Sequence, residues 1–374
     1  MTPFEQSDLF LAATLRDERP DWPAGWNSAD DEQRLIERAE YHGVVAMLVR
    51  RSDGWPLDVR GKLRSLAIGR ASWELRHRPI LEGLLGALVA EDVASVLLKG
   101  TALAYSAYRE PSDRSRGDTD LLVRPEDVEA ARAILRDLGF TLDEPAGTDG
   151  SRLQEVWSLE AAGYWHRIDL HWAAFNTRYL DQLVTVEECF ANCKPLPRLH
   201  EGAKRLSGPH FLLHVCIHRN LHRTAPYFSG GKANYGADRL IWAKDIALLT
   251  GQFAPAEWSE FVSLAKSKRV AEVMTDALRF AQSAVGASIP EQVLTNLAAA
   301  TATEPRSDYL LKASRKSRAL TNLLAVPNGM GRFRHFRNAL APPDAVLRAR
   351  YPDWPKAPRI FLLGRRLLDF TLNR

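Results

Sequence analysis

Three scarcities bound what this chain of 374 residues can be. It holds only three cysteines, Cys189, Cys193 and Cys216, an odd and small number for a disulfide framework, so a reducing compartment is the simpler setting. No apolar stretch approaches the roughly 20 residues needed to cross a bilayer, and no membrane span is expected. The opening "MTPFEQSDLFLAATLRDERP" carries acids where a secretory leader carries basic residues, so a cytoplasmic location is the expectation. Low-complexity tracts and internal repeats are missing as well. What is present, 45% hydrophobic and 26% charged residues, is ordinary for a folded globular chain long enough for two or three domains.

The net charge of +4 conceals a division by region. From Glu304 to Arg374 there are 15 Lys/Arg against 5 Asp/Glu, so the preceding residues are acidic on balance. Such a basic third suits phosphates of a nucleotide, RNA or lipid, or it forms a solvated face that balances an acidic body.

Hydrophobic periodicity divides the chain into three parts. Residues 4 to about 91 show apolar spacings of three and four, as in "DDEQRLIERAEYHGVVAMLVRR", and predict helices. The texture changes at "VASVLLKG", a buried strand with a turn after Gly100, followed by a short helix "TALAYSAY". A polar stretch leads to the strand "DTDLLV" and to "RPEDVEAARAILRDLGF", whose early proline and acids and late Gly139 mark a helix. "LQEVWSLE" and "YWHRIDLHW" around "AAG" predict a hairpin. From about residue 205 the helical period returns. The expectation is an α+β protein: a helical N-terminal region (1–90), a small mixed-sheet core (91–200) and a helical C-terminal domain (201–374).

Chemistry concentrates in "RGDTDLLV". Side chains alternate along a strand, so Asp118 and Asp120 point one way while Thr119 and Leu121 point the other. Two converging carboxylates repel unless a positive charge lies between them. Mg²⁺ prefers one or two carboxylates plus substrate phosphates, which suits such a pair. In "HRIDLHW", Asp169 and His171 share a face. If that strand lies beside "DTDLLV", Asp169 is a third acid for a two-metal phosphoryl-transfer site. Taken alone, an Asp at a strand start is often a turn residue. Here a strand ending in Lys99-Gly100-Thr101 at a helix start precedes it, where backbone N–H groups favour anions and glycine permits close approach.

The run "LLKGTALAYSAY…RSRGDTDLLV…HRIDLHW" resembles the DNA polymerase β-like nucleotidyltransferase superfamily, and more narrowly a bacterial family of uncharacterised nucleotidyltransferases. The resemblance extends through "DRLIWAKDIALL" and "LAPPDAVLRARYPDW". It implies Asp118 and Asp120 as ligands of two Mg²⁺ ions, with Mn²⁺ a substitute, and Asp169 as a ligand of one that also helps activate the attacking hydroxyl. It implies phosphate contacts from Gly100 and Thr101. Thr101 departs from the usual Gly or Ser, and the interval to Asp118 is long for the superfamily, which bears on triphosphate geometry more than on catalysis.

The implied activity is transfer of an NMP from an NTP, ATP above all, to a small molecule, peptide or RNA end, with release of pyrophosphate. Kinase-like γ-phosphoryl transfer on the same scaffold, or a non-catalytic nucleotide- or RNA-binding module, are the alternatives. Among neighbouring residues Lys99 is a further nucleotide contact, and Arg116, less so Arg114, offers a guanidinium fork for triphosphate oxygens unless it serves to neutralise the acids. His210, His214, His218 and His222 recur every four residues, but each such step turns a helix by about 40°, so all four cannot share one ion. Packing between helices or at the surface, one or two facing the cleft, and a zinc site built from neighbouring members are the readings, in that order. Cys189, Cys193 and His200 have poor zinc spacing. The loop "YFSGGKANYGADR" offers Lys232 to a phosphate or is merely flexible, and Asp245 reads as a buried acid that pairs structurally.

Overall fold

The computed structural model describes residues 2–371 apart from 145–152, 224–226, 230–231, 235–237, 301, 343, 345–346, 349–350, 352–353 and 355. Its centre is a seven-stranded mixed sheet in the order β3-β4-β5-β2-β1-β7-β6. The strands are β1 (Ser95–Leu97), β2 (Asp118–Val123), β3 (Thr141–Glu144), β4 (Gln154–Ala161), β5 (Tyr164–His171), β6 (Cys193–Pro195) and β7 (Lys204–Leu206). β2 lies between β1, to which it is antiparallel, and β5, to which it is parallel. A strand so placed is covered on both faces, which is why Leu121, Leu122 and Val123 form an unbroken buried apolar run. The predicted hairpin is β4–β5, closed by Ala162 and Gly163 with φ of 51° and 78°. Two successive left-handed residues match the twist of the flanking strands, and glycine supplies one of them without strain.

Helices pack around the sheet, and the fold is α+β. The N-terminal set comprises α1 (Pro3–Leu15), α2 (Ala29–His42), α3 (Val45–Val49) and α4 (Leu57–Ala90). A reciprocal Thr2–Glu5 capping box starts α1, and Ser28 with Asp31 does the same for α2. α4 runs for 34 residues with Pro79 inside it, and buries Leu63, Glu74, His77, Leu81, Leu84, Leu85 and Leu88 at helical spacing. Between the strands lie α5 (Lys99–Ser106), α6 (Val128–Asp137) and α7 (Val186–Ala191). α8 (Gly208–His222), α9 (Leu240–Thr250), α10 (Pro255–Ser267) and α11 (Ala271–Val285) follow. The segment from Pro255 to Val285, helical by its period, breaks at Arg269, which adopts a φ of 56°.

One hydrophobic core runs from Phe10 of α1 through the sheet to Leu310. Each fully buried leucine within it contributes on the order of 1.5–3 kcal/mol. The basic C-terminal segment forms further helices, among them Arg315–Ala325, Gly329–Leu340 and Arg359–Thr371. These leave Phe333, Phe336, Ile360 and Phe361 exposed. No described helix is long and apolar enough to cross a membrane.

Candidate active site

The parallel pairing of β2 with β5 sets Asp120 directly opposite Asp169, and Asp118 opposite Arg167. Because the period of a strand is two, Asp118, Asp120, Asp169 and His171 all face the same side. Asp120, Asp169 and His171 each bring a donor atom within 4.8 Å of the others. Asp118 stands one strand step outward, at the exposed start of β2.

Lys99 completes the cluster. Its ammonium lies 2.5 Å from Asp120 Oδ1, while His171 Nε2 approaches the same oxygen at 3.0 Å. Lys99 reaches that place because β1 ends sharply: α5 begins at Lys99 itself, one residue before the turn expected from sequence, and Lys99 adopts a φ of 46°. A left-handed non-glycine residue costs about 1–2 kcal/mol, which the ion pair offsets. Leu98 N–H donates to the Asp120 carbonyl at 3.0 Å and fastens the turn to β2.

Electrostatics separates the two opposed acids. Burial would raise Asp120, but Lys99 and His171 outweigh it and hold the carboxyl below the usual range. Asp169, held by the Gln154 amide at 3.0 Å, is pushed up to about 7 by burial and by the charges on Asp120 and Asp118. Burial and Lys99 keep His171 below its ordinary value. The ring is therefore neutral, with Nε2–H donating to Asp120 and Nδ1 without a protein partner among the described residues.

Lys99, Asp118, Asp120 and Asp169 line a cavity of about 730 Å³, a volume in the range of small-ligand sites, with His171 buried behind Asp120. Gly100, Gly117 and Gln154 line it together with Phe175 of the loop after β5, His218 of α8, and Arg239 and Trp242 at the start of α9. A Cβ added at Gly100 would meet only Arg114 and Arg116 atoms at 3.6 Å, an ordinary contact, so the protein's own packing does not demand glycine there. The space it leaves belongs to the cavity.

Other sequence candidates are placed differently. Thr101 is buried, with its hydroxyl 2.9 Å from that of Thr119 and accepting from Arg116 Nε at 3.0 Å. Arg116 lines the cavity, but its guanidinium is held by Glu74 at 2.7 and 2.9 Å. Arg114 is bound on two sides by Asp245, at 2.7 and 2.8 Å, and Tyr108 O–H donates to the same acid. Asp245 is thus the buried structural acid that its apolar neighbours suggested. In the histidine stripe, His210 approaches Glu188, His214 approaches the Ala174 carbonyl and stacks on Phe175, and His218 and His222 reach the cavity. Cys189 and Cys216 are free thiols that burial pushes up to about 12. The side chain of Lys232 lies outside the described residues, although the backbone there forms strands Tyr227–Ser229 and Lys232–Asn234. Sequence reasoning placed His171 on the face of Asp169 but did not anticipate its bond to Asp120, nor the contact of Gln154.

Residues 28–286 match the family described as "Uncharacterised nucleotidyltransferase". The chain belongs to this family. The match takes in β1 to β7, the acid cluster and the helices α8 to α11. No curated protein matches the chain.

Proposed function

We propose that this member of the nucleotidyltransferase family is a divalent-metal-dependent enzyme of the cytoplasm. It moves a nucleoside monophosphate from a nucleoside triphosphate, ATP foremost, to an acceptor hydroxyl or phosphate, and pyrophosphate leaves. The observation that carries this reading is Asp120 set opposite Asp169 on adjacent parallel strands, with Asp118 on the same face of one cavity.

The donor set fits Mg²⁺, with Mn²⁺ as a substitute. Three carboxylates supply hard oxygen ligands, and their mutual repulsion, visible in the elevated Asp169, is what a cation relieves. Asp118 and Asp120 would ligate two ions and Asp169 one, while His171 orients Asp120 from behind. Bound magnesium would neutralise charge on the attacking and leaving oxygens of an in-line displacement.

The remaining work falls to the chain's own residues. Lys99 supplies a fixed positive charge beside the acids, and the backbone N–H of Gly100, at the start of α5, faces incoming phosphate oxygens. With a hydroxyl acceptor, Asp169 takes its proton as the oxygen bonds to the α-phosphorus and the bond to the β-phosphate oxygen breaks. Thr101 and Arg116, whose donors are committed to protein acceptors, hold the turn that presents Lys99 and Gly100. The helical N-terminal region buttresses the sheet, which extends to Leu206, and the C-terminal helices, through His218, His222 and Trp242, line the same cavity as the acids.

The test is release of labelled pyrophosphate from Mg²⁺ and NTP over a panel of acceptors, with Asp120→Asn beside wild type. Activity should fall by well over about 100-fold, the scale lost on disturbing only the outer shell of a metal site. Binding of MgATP that survives the substitution, with turnover in neither form, would instead mark a non-catalytic nucleotide-binding module.

A further inference from the structure

A second cavity, of about 530 Å³, adjoins the first. Arg70, Arg114, Ser115, Arg116 and Gly117 line both, so the two communicate across one rim. Its charges are almost all spent. Arg70 faces Glu40 at 3.6 Å, Arg116 is held by Glu74 and Arg114 by Asp245.

Arg167 is the exception. It is exposed, and although it lies in register with Asp118 it makes no ion pair or hydrogen bond with its side chain among the described residues. Two residues before it, Trp165 leaves 56% of its surface exposed, and its ring meets no aromatic or cationic partner among the described residues. Its backbone is nonetheless fixed: the Trp73 indole N–H donates to the Trp165 carbonyl at 3.0 Å. At the wall of this cavity the exposed indole offers a flat stacking surface and the neighbouring guanidinium a fork for an anion.

Trp165, Arg167 and Asp169 share one face of β5, spaced by about 7 Å per two residues. That order, flat ring surface, guanidinium fork, carboxylate cluster, is a template. Indoles stack on planar bases, and arginine holds phosphate through two parallel hydrogen bonds. We propose that the second cavity is the acceptor subsite and that the acceptor is a nucleoside 5′-phosphate unit, with its base on Trp165 and its phosphate on Arg167. This rests on the nucleotidyltransferase reading above.

The order also selects the attacking atom. The anion lies between the ring and the acids, so a phosphate oxygen is the acceptor group nearest Asp169. That oxygen bonds to the α-phosphorus of the NTP, the bond from that phosphorus to the β-phosphate oxygen breaks, and pyrophosphate departs with its electron pair. A phosphoanhydride linking two nucleosides results. The attacking phosphate is ionised at neutral pH, so no proton need be removed. The unit can be a free mononucleotide or the 5′-phosphorylated end of an RNA strand, which share this chemistry.

Two measurements on the full chain test it. Calorimetry with 5′-AMP, adenosine and ribose 5-phosphate compares wild type, Trp165→Ala, Trp165→Phe and Arg167→Ala. Turnover with Mg²⁺ and labelled ATP compares 5′-AMP with 5′-phosphorylated and 5′-hydroxyl RNA tetranucleotides. Trp165→Ala and Arg167→Ala should each weaken 5′-AMP by about tenfold or more, and Trp165→Phe should restore most of the loss. Adenosine should sense only Trp165, ribose 5-phosphate only Arg167. Labelled product should form with 5′-AMP or the 5′-phosphorylated strand, whichever is the source, and not with the 5′-hydroxyl strand. If 5′-AMP binds both alanine variants as tightly as wild type, or phosphate-free acceptors are used equally well, the proposal is overturned. MgATP binding and pyrophosphate release with other acceptors, but none of these dependences, would sink the subsite and leave the broader reading standing. Loss of MgATP binding in wild type sinks the broader reading instead.

Discussion

The two faces of β2 solve the same problem in opposite ways. On one face Thr119, fully buried, lies 2.8 Å from His77 Nε2 and 2.9 Å from the Thr101 hydroxyl, and His77 in turn contacts His166 at 3.2 Å. Burial, with help from the charge of Arg116, pushes His77 down to about 3, so this network is neutral. On the other face Asp118 and Asp120 confront Asp169 with one lysine among them. Neutral buried groups need only partners, whereas buried charges need partners of opposite sign. On the first face every group but the buried Nε2 of His166 finds a partner among the described residues, whereas the second gathers three acids that a cation, as proposed, would relieve.

Breaking each face in turn should expose that difference. The largest effect is expected from Lys99→Met, which removes the only ammonium beside Asp120 among the described residues. The metal-free protein should lose about 3 kcal/mol, as when a buried ion pair loses one member. Added Mg²⁺ should restore more of the thermal midpoint in the variant than it adds to wild type. Thr119→Val breaks the neutral face and should cost about 2 kcal/mol, the penalty of leaving His77 and Thr101 short of a partner. That loss should be unmoved by Mg²⁺.

The third effect concerns protons. Asp169 is elevated to about 7, so below that pH a metal must displace a proton from it. Mn²⁺ affinity, followed by titration, should weaken close to tenfold per unit as pH falls below 7 and level off above it. The sign for stability is the reverse. With its folded value raised, Asp169 favours the metal-free fold at low pH and withdraws that support as pH climbs from the ordinary carboxylate range to about 7. A flat Mn²⁺ titration from pH 6 to 8 would show that the two faces differ less in charge than the geometry says.

What was legible in the sequence followed from periodicity. Alternation in "DTDLLV" and "HRIDLHW" set three acids on sheet faces, and the buried run of β1 with Gly100 marked the strand–helix turn. Helices on either side of the sheet were legible from their spacing of three and four. The short strands β6 and β7, three residues each, carry too little pattern to announce themselves. Least legible were the partners of the arginines. Arg114 meets Asp245 across 131 residues and Arg116 meets Glu74 across 42, and no local pattern encodes such pairings. Arginines beside an acid motif read first as substrate contacts because the motif is visible in sequence while their protein partners are remote. The converse holds for Arg167, which sits inside "HRIDLHW" beside Asp169 and is noticed only because the structure leaves its side chain without an ion pair or hydrogen bond among the described residues.

The parallel register of β2 and β5 has a consequence for how the molecule assembles. Asp120 and Asp169 stand about fifty residues apart in the chain, joined through α6 and the β4–β5 hairpin. Their meeting is a non-local event that comes only after a large loop has closed. Until then no acid cluster exists for an ion to recognise. When it forms, three like charges oppose the closing step. Under the metal role proposed above, a divalent cation would distinguish the finished sheet from every partly assembled one, and reward only the last.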